Sequence, residues 1–172
     1  GKQTLRVMSR AWRYNAFLCD QLRPYLGANV IEVGAGVGNI SRMLLDRDSL
    51  VLTDSRPDYI QQLEQTYQAW EHVKVMRLDI ACPDDKASAL WGRFDSVVSF
   101  QVLEHIEDDR AALKAMNRLL KPGGRLLLMV AAHQENDLKA KLVGAGFEIE
   151  AFRFFNQIGL VIFAVARRPA RQ

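Results

Sequence analysis

The sequence repeats one pattern, a strand-length apolar run followed by a stretch with helical or turn character. The apolar runs are residues 30–33, 50–54, 73–79, 94–100 and 125–131. Each run is largely continuous rather than alternating with polar residues, which is typical of strands that are covered on both faces. The repeat therefore predicts an α/β fold, in which a mostly parallel sheet carries helices on both sides.

Two further strands are predicted near the end of the chain, over residues 147–155 and 160–168. The connection at residues 156–159 is too short for a parallel crossover, so these two strands should be antiparallel. An amphipathic helix is predicted over residues 1–25, where Pro24 closes it. With no repeat or linker, we interpret residues 1–172 as one domain whose core spans residues 28–167.

Composition and charge argue against nucleic-acid binding, a membrane span and secretion. The net charge is +3, and only the tail at residues 167–172 is densely cationic, so a nucleic-acid partner is not favoured. No run reaches the roughly 18 apolar residues that span a bilayer, and the start of the chain lacks a signal-peptide layout. Cys19 and Cys82 do not suggest a disulfide framework, which favours a reducing, cytoplasmic compartment.

The first strand runs into a glycine-rich turn, VIEVGAGVGNIS, at residues 30–41. Gly34 and Gly36 allow a tight turn and a close approach of a ligand to the backbone, because glycine has no Cβ. The dinucleotide fingerprint G-x-G-x-x-G needs glycine at position 39, where this chain has Asn39, and Gly38 comes one residue early. By itself the turn is consistent with a structural role as well as with several nucleotide cofactors.

Polar residues also follow the next strands, at the carboxyl ends where sheets of this kind bind ligands. The second strand ends in Asp54, whose carboxylate can accept both hydrogens of a ribose diol. The third ends in Asp79, which could accept a hydrogen bond from an adenine amino group, and Ile80 could pack on the ring. These positions favour an adenosine-bearing cofactor.

Together these pieces resemble the class I S-adenosylmethionine-dependent methyltransferases, especially the small-molecule type-11/12 group. The matching segments, in this order, are VIEVGAGVGNIS, LVLTD, RLDI, FDSVVSFQVLEHIEDD and LLKPGGRLLLMV. The resemblance implies a Rossmann-like, seven-stranded sheet of order 3-2-1-4-5-7-6 with strand 7 antiparallel. It also implies S-adenosyl-L-methionine as cofactor, S-adenosyl-L-homocysteine as product, and methyl transfer to an unidentified small-molecule acceptor.

The resemblance assigns roles to residues at the strand ends. The implied cofactor-binding residues are Glu32, Gly34, Ala35, Gly36, Gly38, Asn39, Asp54, Ser55, Asp79, Ile80, Gln101 and Val102. Glu32 and the glycine turn would hold the methionine part, with Gln101 and Val102 lining the same side. Asp54 would bind the ribose, with Ser55 beside the adenine that Asp79 and Ile80 contact.

The family shares a cofactor site but no universal catalytic residue. The sulfonium methyl group is already activated, so the protein mainly aligns the acceptor, and a general base helps only where the acceptor must lose a proton. His105 and His133 are the candidates for such a base. Glu104, His105, Glu107 and Asp108 are interpreted as a solvated helix start, and no metal site is predicted.

Two other functions remain open. The segments after strand 5 and between the last two strands are shorter than is usual in the family, and the sequence leaves open whether the cover of the acceptor is truly reduced, was removed or lies outside these 172 residues. The chain could then be an S-adenosylmethionine-binding module with reduced or no activity. An NAD-dependent oxidoreductase is the third interpretation, which Asn39 and the LEHIED and KPGG segments oppose. The sequence does not specify the acceptor or the oligomeric state.

Overall fold

The computed structural model describes residues 16–17, 20–131, 135–155 and 161–170, and seven strands lie within these ranges. They are β1 (Asn29–Val33), β2 (Ser49–Asp54), β3 (Val73–Arg77), β4 (Phe94–Phe100), β5 (Leu120–Ala131), β6 (Glu148–Phe155) and β7 (Val161–Arg167). The main difference from the sequence prediction is that β5 begins before the apolar run at residues 125–131 and includes Gly123 and Gly124. Here Gly123 N–H donates to the carbonyl of Arg168, and Arg168 N–H donates to that of Gly124, both at 2.8 Å.

The strands form one sheet of order β3-β2-β1-β4-β5-β7-β6. The pairs β1–β2, β1–β4, β2–β3 and β4–β5 are parallel, whereas β7 is antiparallel to both β5 and β6. The predicted order and the reversed strand 7 are therefore confirmed. Because the strand order reverses between β1 and β4, their carboxyl ends flank the crevice where such sheets bind ligands.

Three α-helices lie within the described residues: α1 (Pro57–Tyr67), α2 (Asp109–Leu119) and α3 (Glu135–Gly144). The carboxylate of Asp108 caps α2 by accepting the N–H of Ala111 at 2.9 Å, as the sequence predicted. Residues 20–22 are helical and continue into a 3-10 turn, Arg23–Tyr25. Most of the predicted N-terminal helix lies outside the described residues. None of the described helices has the length and apolar character needed to cross a bilayer.

The sheet separates two hydrophobic clusters. Helices α2 and α3 cover one face, and α1 covers the other. Alternate residues of β1 divide between the clusters, since Ile31 and Val33 belong to the first and Val30 to the second. This division explains the continuous apolar runs in the sequence, because a strand that is covered on both faces needs apolar side chains at every position.

The segment after the glycine turn differs from the prediction. In the sequence, Ile40, Met43 and Leu44 recur at helical spacing, which predicts an α-helix here. The structure instead has turns and a single 3-10 segment, Ser41–Met43. Ile40 and Leu44 are buried as expected. Both belong to the hydrophobic cluster that α1 covers, so the turns bury the face that a helix would have buried.

Candidate functional site

A cleft of about 380 Å³ opens at the carboxyl edge of the sheet, where the strand order reverses. Loops that follow β1, β2, β3 and β4 supply its walls. The lining residues are Val33, Gly34, Gly36, Asp54, Ser55, Arg56, Tyr59, Leu78, Asp79, Ile80, Gln101, Val102, His105 and Ile106. Eight of them are residues that the sequence assigned to cofactor binding, so segments far apart in the chain meet in one place.

Gly34 and Gly36 form the wall next to β1, with φ angles of 75° and 55° in the left-handed region that favours glycine. A Cβ on Gly34 would lie 2.3 Å from Cγ2 of Val102, so the glycine lets this turn close against the loop after β4. A Cβ on Gly36 would meet no atom within 4 Å. The position is open, and Gly36 leaves room for a ligand against the backbone.

Asp54 ends β2 and is only 8% exposed. Its Oδ2 accepts the N–H of Gly36 and its Oδ1 accepts the N–H of Arg56, both at 3.0 Å. An ionised carboxylate offers about four acceptor positions, so each oxygen can accept one more hydrogen bond. Asp54 therefore fixes the glycine turn and can still bind a ligand diol.

Glu32 lies beneath the glycine turn, not on the cleft wall. It is 3% exposed, and its Oε2 accepts a hydrogen bond of 2.6 Å from the Ser41 hydroxyl, which links the two ends of the turn. Burial raises the pKa of Glu32 to about 8; the Ser41 hydrogen bond opposes this change and the nearby charge of Asp54 adds to it. Glu32 is thus a carboxyl group that is protonated at neutral pH and supports the turn.

The loop after β4 begins in a strained conformation. Gln101 has a φ of 54° and is the only non-glycine residue with a positive φ in the described ranges. This backbone conformation costs an L-residue about 1–2 kcal/mol, and strain of this kind is concentrated at functional sites. The N–H of Gln101 donates to the carbonyl of Met129 at 2.8 Å, which holds the loop against β5.

Glu104 is a second link between this loop and β5. Its Oε1 accepts the N–H of Ala131 at 3.2 Å, and its Oε2 is buried with no hydrogen-bond partner. The sequence analysis treated Glu104 as part of a solvated helix start, and that interpretation is wrong for this residue. The short 3-10 turn Leu103–His105 brings it under the end of β5, a contact that no sequence spacing indicates.

The wall beyond β3 contains Asp79 and Ile80. The Oδ1 of Asp79 accepts the N–H of Ala81 at 3.1 Å, and Ile80 is buried. Arg56 and Tyr59 complete this side, with the guanidinium carbon of Arg56 4.5 Å from the centroid of the Tyr59 ring. The sequence analysis missed both, although their position just after the second strand was a usable signal.

Four residues that the sequence assigned to the cofactor do not line the cleft: Glu32, Ala35, Gly38 and Asn39. Gly38 packs against α1, where Tyr67 donates a hydrogen bond of 3.1 Å to its carbonyl. Ala35 is buried, its N–H donating to the carbonyl of Thr53, and Asn39 is exposed. Contact of these four residues with a cofactor stays a prediction.

The structure describes only one of the two candidate bases, His105. His105 is exposed and lines the cleft, so it can reach a bound molecule. His133 lies outside the described residues. Within the ranges that the structure describes, no three His, Cys, Asp or Glu side chains are grouped so that they could hold a metal ion.

The family of the chain follows from a direct match. A model of the family described as "Methyltransferase domain" matches residues 31–126, more than half of the 172-residue chain. The matched region begins in β1 and ends in β5, so it contains every residue that lines the cleft.

Curated relatives agree with this match. The squalestatin tetraketide synthase of Phoma sp. (strain C2932) is 30% identical over 122 residues, which are 65% of this chain and 5% of that protein. The ubiquinone biosynthesis O-methyltransferase of Xanthomonas oryzae pv. oryzae (strain PXO99A) is 31% identical over 127 residues, 70% of this chain and 50% of that protein. The chain therefore spans half, or far less, of the length of these relatives.

Solved structures share the fold. The crystal structure of the trans-methyltransferase CalH in complex with SAH superposes with a TM-score of 0.74 at 19% identity, over 90% of this chain and 55% of that one. The two chains therefore share a fold. From the family match, the strand order and the cleft, we conclude that the chain belongs to the class I S-adenosylmethionine-dependent methyltransferases that its sequence resembles.

Proposed function

We propose that this chain transfers the methyl group of S-adenosylmethionine to a small-molecule acceptor. The observation that carries the proposal is the cleft at the switch point of the sheet, on which eight independently predicted residues converge. Ligands of open α/β sheets bind at this place.

The cleft fits the cofactor in shape and in charge. Gly36 leaves open space against the backbone, and the carboxylates of Asp54 and Asp79 suit a ligand that carries a positive sulfonium. Asp54 would accept the ribose hydroxyls, and Gly34 and Gly36 would lie against the methionine part. The adenine would be bound beside Asp79 and Ile80.

When bound, the cofactor supplies an electrophilic methyl group on sulfur. The contribution of the chain is alignment: Gln101 and Val102 form the wall next to β4, and the links from Gln101 to Met129 and from Glu104 to Ala131 fix that wall on β5. His105, exposed on the same loop, would accept the proton of a hydroxyl acceptor.

The acceptor is proposed from the relatives. One is named for O-methylation in ubiquinone biosynthesis and another is a polyketide synthase, which supports a small organic acceptor with a hydroxyl group or an activated carbon. A cytoplasmic location is part of this proposal, and the free, exposed Cys82 fits a reducing compartment.

A second candidate function is cofactor binding with reduced or no turnover. Its support is the short connections at the carboxyl edge: only residues 132–134 separate β5 from α3, and residues 156–160 separate β6 from β7. These positions are where a cover for the acceptor would be inserted. The two candidates agree on the cofactor and differ on methyl transfer.

Titration calorimetry tests which cofactor the chain binds. We expect S-adenosylmethionine and S-adenosylhomocysteine to bind and NAD to show no measurable binding. Methyl transfer from radiolabelled S-adenosylmethionine to a panel of phenolic, quinol and β-ketothioester acceptors then separates the enzyme from the binding module. Binding of NAD without S-adenosylhomocysteine would refute the proposal, whereas cofactor binding without transfer to any acceptor would favour the second candidate.

A further inference from the structure

A second cavity, of about 500 Å³, lies at the amino edge of the sheet, opposite the cleft. Its lining comes from the first residues of β1, β2, β4 and β5, from β3, and from the 3-10 segment Asp85–Leu90. Its volume is within the range of small-molecule sites. The proposed methyl transfer makes no use of this amino-edge cavity.

The floor of the amino-edge cavity is one face of the sheet. Val51 of β2 pairs with Lys74 of β3, and residues two apart on a strand point to the same side, so Met76 lies on this face as well. Helix α1 packs on the opposite face. Between β3 and β4 the chain has only a six-residue 3-10 segment to cover this part of the sheet, and a concave space remains.

The wall of the amino-edge cavity is largely apolar. Its apolar side chains are Val51, Met76, Ala89, Leu90 and Phe94. Val51 and Phe94 are buried members of the cluster beneath α2 and α3, and Met76 and Leu90 are partly buried against it. The wall is therefore an extension of the core and is fixed in shape by it.

Every charged residue that lines the amino-edge cavity is a cation: Lys74, Arg93 and Lys121. Lys121 is neutralised by Asp95, with 2.7 Å between Nζ and Oδ1. Lys74 and Arg93 are exposed, and within the described ranges their side chains make no hydrogen bond or ion pair. Two uncompensated positive charges thus stand beside an apolar wall.

We propose that the amino-edge cavity binds an amphipathic organic carboxylate, with its apolar chain against Met76, Leu90 and Phe94 and its carboxylate held by Lys74 and Arg93. Charge complementarity and the apolar wall both select this class of ligand. The cavity and the cleft lie at opposite edges of the sheet, so this ligand is a separate one and not the methyl acceptor.

Titration calorimetry with octanoate, nonanoate and decanoate tests the site, and octylamine serves as the cation of matched length. We expect saturable binding of one carboxylate per chain, which tightens about fourfold for each added CH₂. The Lys74→Gln/Arg93→Gln variant should bind about tenfold more weakly, because charge-assisted hydrogen bonds are lost. The matched control is Arg110→Gln/Lys114→Gln, which removes two exposed cations of α2 outside the cavity.

Several outcomes would overturn the site: no saturable binding, equally tight binding of octylamine, equal weakening in the control variant, or an affinity that does not depend on chain length. A dimer in sedimentation that Leu90→Glu breaks would assign this face to a second copy of the chain, which also refutes the proposal. S-adenosylhomocysteine affinity should be the same in wild type and in Lys74→Gln/Arg93→Gln. That readout keeps a failure here distinct from a failure of the proposed methyltransferase function.

Discussion

The two edges of the sheet have opposite chemistry although they share the same strands. At the carboxyl edge, the cleft has the carboxylates of Asp54 and Asp79 on its walls, with positive φ angles at Gly34, Gly36 and Gln101. At the amino edge, the residues that line the cavity include three cations and no carboxylate, and their backbone is regular apart from Gly92.

The difference shows where backbone strain is placed in this molecule. Most strand residues pair in continuous register, although β4–β5 and β6–β7 each contain one register shift and the Oγ of Ser99 in β4 is buried without a hydrogen-bond partner. Among the described residues, the one non-glycine residue with a positive φ, Gln101, and the buried, unpartnered Oε2 of Glu104 both lie in the loop after β4. Departures from local rules at one edge are typical of a functional site.

Among the substitutions whose effect does not depend on pH, Gly34→Ala should have the largest. The left-handed φ and the contact with Val102 should together lower the free energy of unfolding by about 2–4 kcal/mol. Urea denaturation measures the loss. The double variant Gly34→Ala/Val102→Ala lacks both Cγ atoms of Val102. The stability that is lost to this contact should be recovered in the double variant, and the loss due to the left-handed φ should remain. A double variant no more stable than Gly34→Ala would contradict this division.

Glu32→Gln should remove a loss of folding stability that the wild type shows as pH rises. This loss is a few kcal/mol, since each unit of pKa shift is worth about 1.4 kcal/mol. The folded pKa of about 8 lies above the ordinary glutamate pKa of 4.5, so the wild type loses stability as pH rises through this window. The amide of the Glu32→Gln variant cannot ionise, and this variant should therefore be more stable than wild type at pH 8 but not at pH 4. Glu64→Gln, on the exposed face of α1, is the control. If the stability of wild type and of Glu32→Gln depended on pH in the same way, the conclusion that Glu32 is protonated in the folded protein would be refuted.

Asp54→Ala should weaken S-adenosylhomocysteine binding by about 1–3 kcal/mol, because buried hydroxyls of the ligand lose their acceptor. Asp48→Ala removes an exposed carboxylate just before the same strand, at the amino edge, and should leave the affinity unchanged. Calorimetry measures both. Equal affinities of Asp54→Ala and wild type would remove Asp54 from the cofactor site.

The smallest effect is expected from alanine substitution of two glycines, one at each edge of the sheet. Gly36 and Gly92 both have positive φ, and at neither would a Cβ meet an atom within 4 Å. Gly36→Ala and Gly92→Ala should each cost about 1 kcal/mol of stability from backbone strain. Only Gly36→Ala should weaken S-adenosylhomocysteine binding, because only that methyl group enters the cleft. An equal loss of affinity in Gly92→Ala would mean that the effect is not local.

Most of the strands could be predicted because each one is a continuous apolar run. The α-helix expected around Met43 could not be excluded from the sequence, since Ile40 and Leu44 are buried as a helical face would be. The 3-10 turn Ser41–Met43 leaves the same two residues buried, so burial does not distinguish the two conformations. The pairing of Gly123 and Gly124 with Arg168 was equally hidden, because the partner lies at the other end of the chain.

The cleft was predicted in part. Asp54 was identified because strand ends mark the ligand edge, and Gln101 because the family resemblance implied it. Glu32 and Gly38 are adjacent to the same turn, yet they contact Ser41 and Tyr67 instead of the cleft. The sequence cannot separate these cases, since the direction of a side chain in a tight turn depends on φ and on what packs behind it.

The sequence by itself determined the strands and the residues at their ends, because apolar periodicity and position along the chain are local properties. Its resemblance to a known family implied the strand order and the kind of cofactor. Only the tertiary structure decided which of those residues share a wall. It also decided that Glu32 is buried as a neutral acid and that Lys74 and Arg93 lie beside an apolar cavity. Burial, charge balance and free space depend on segments that are distant in the chain, and folding alone brings them together.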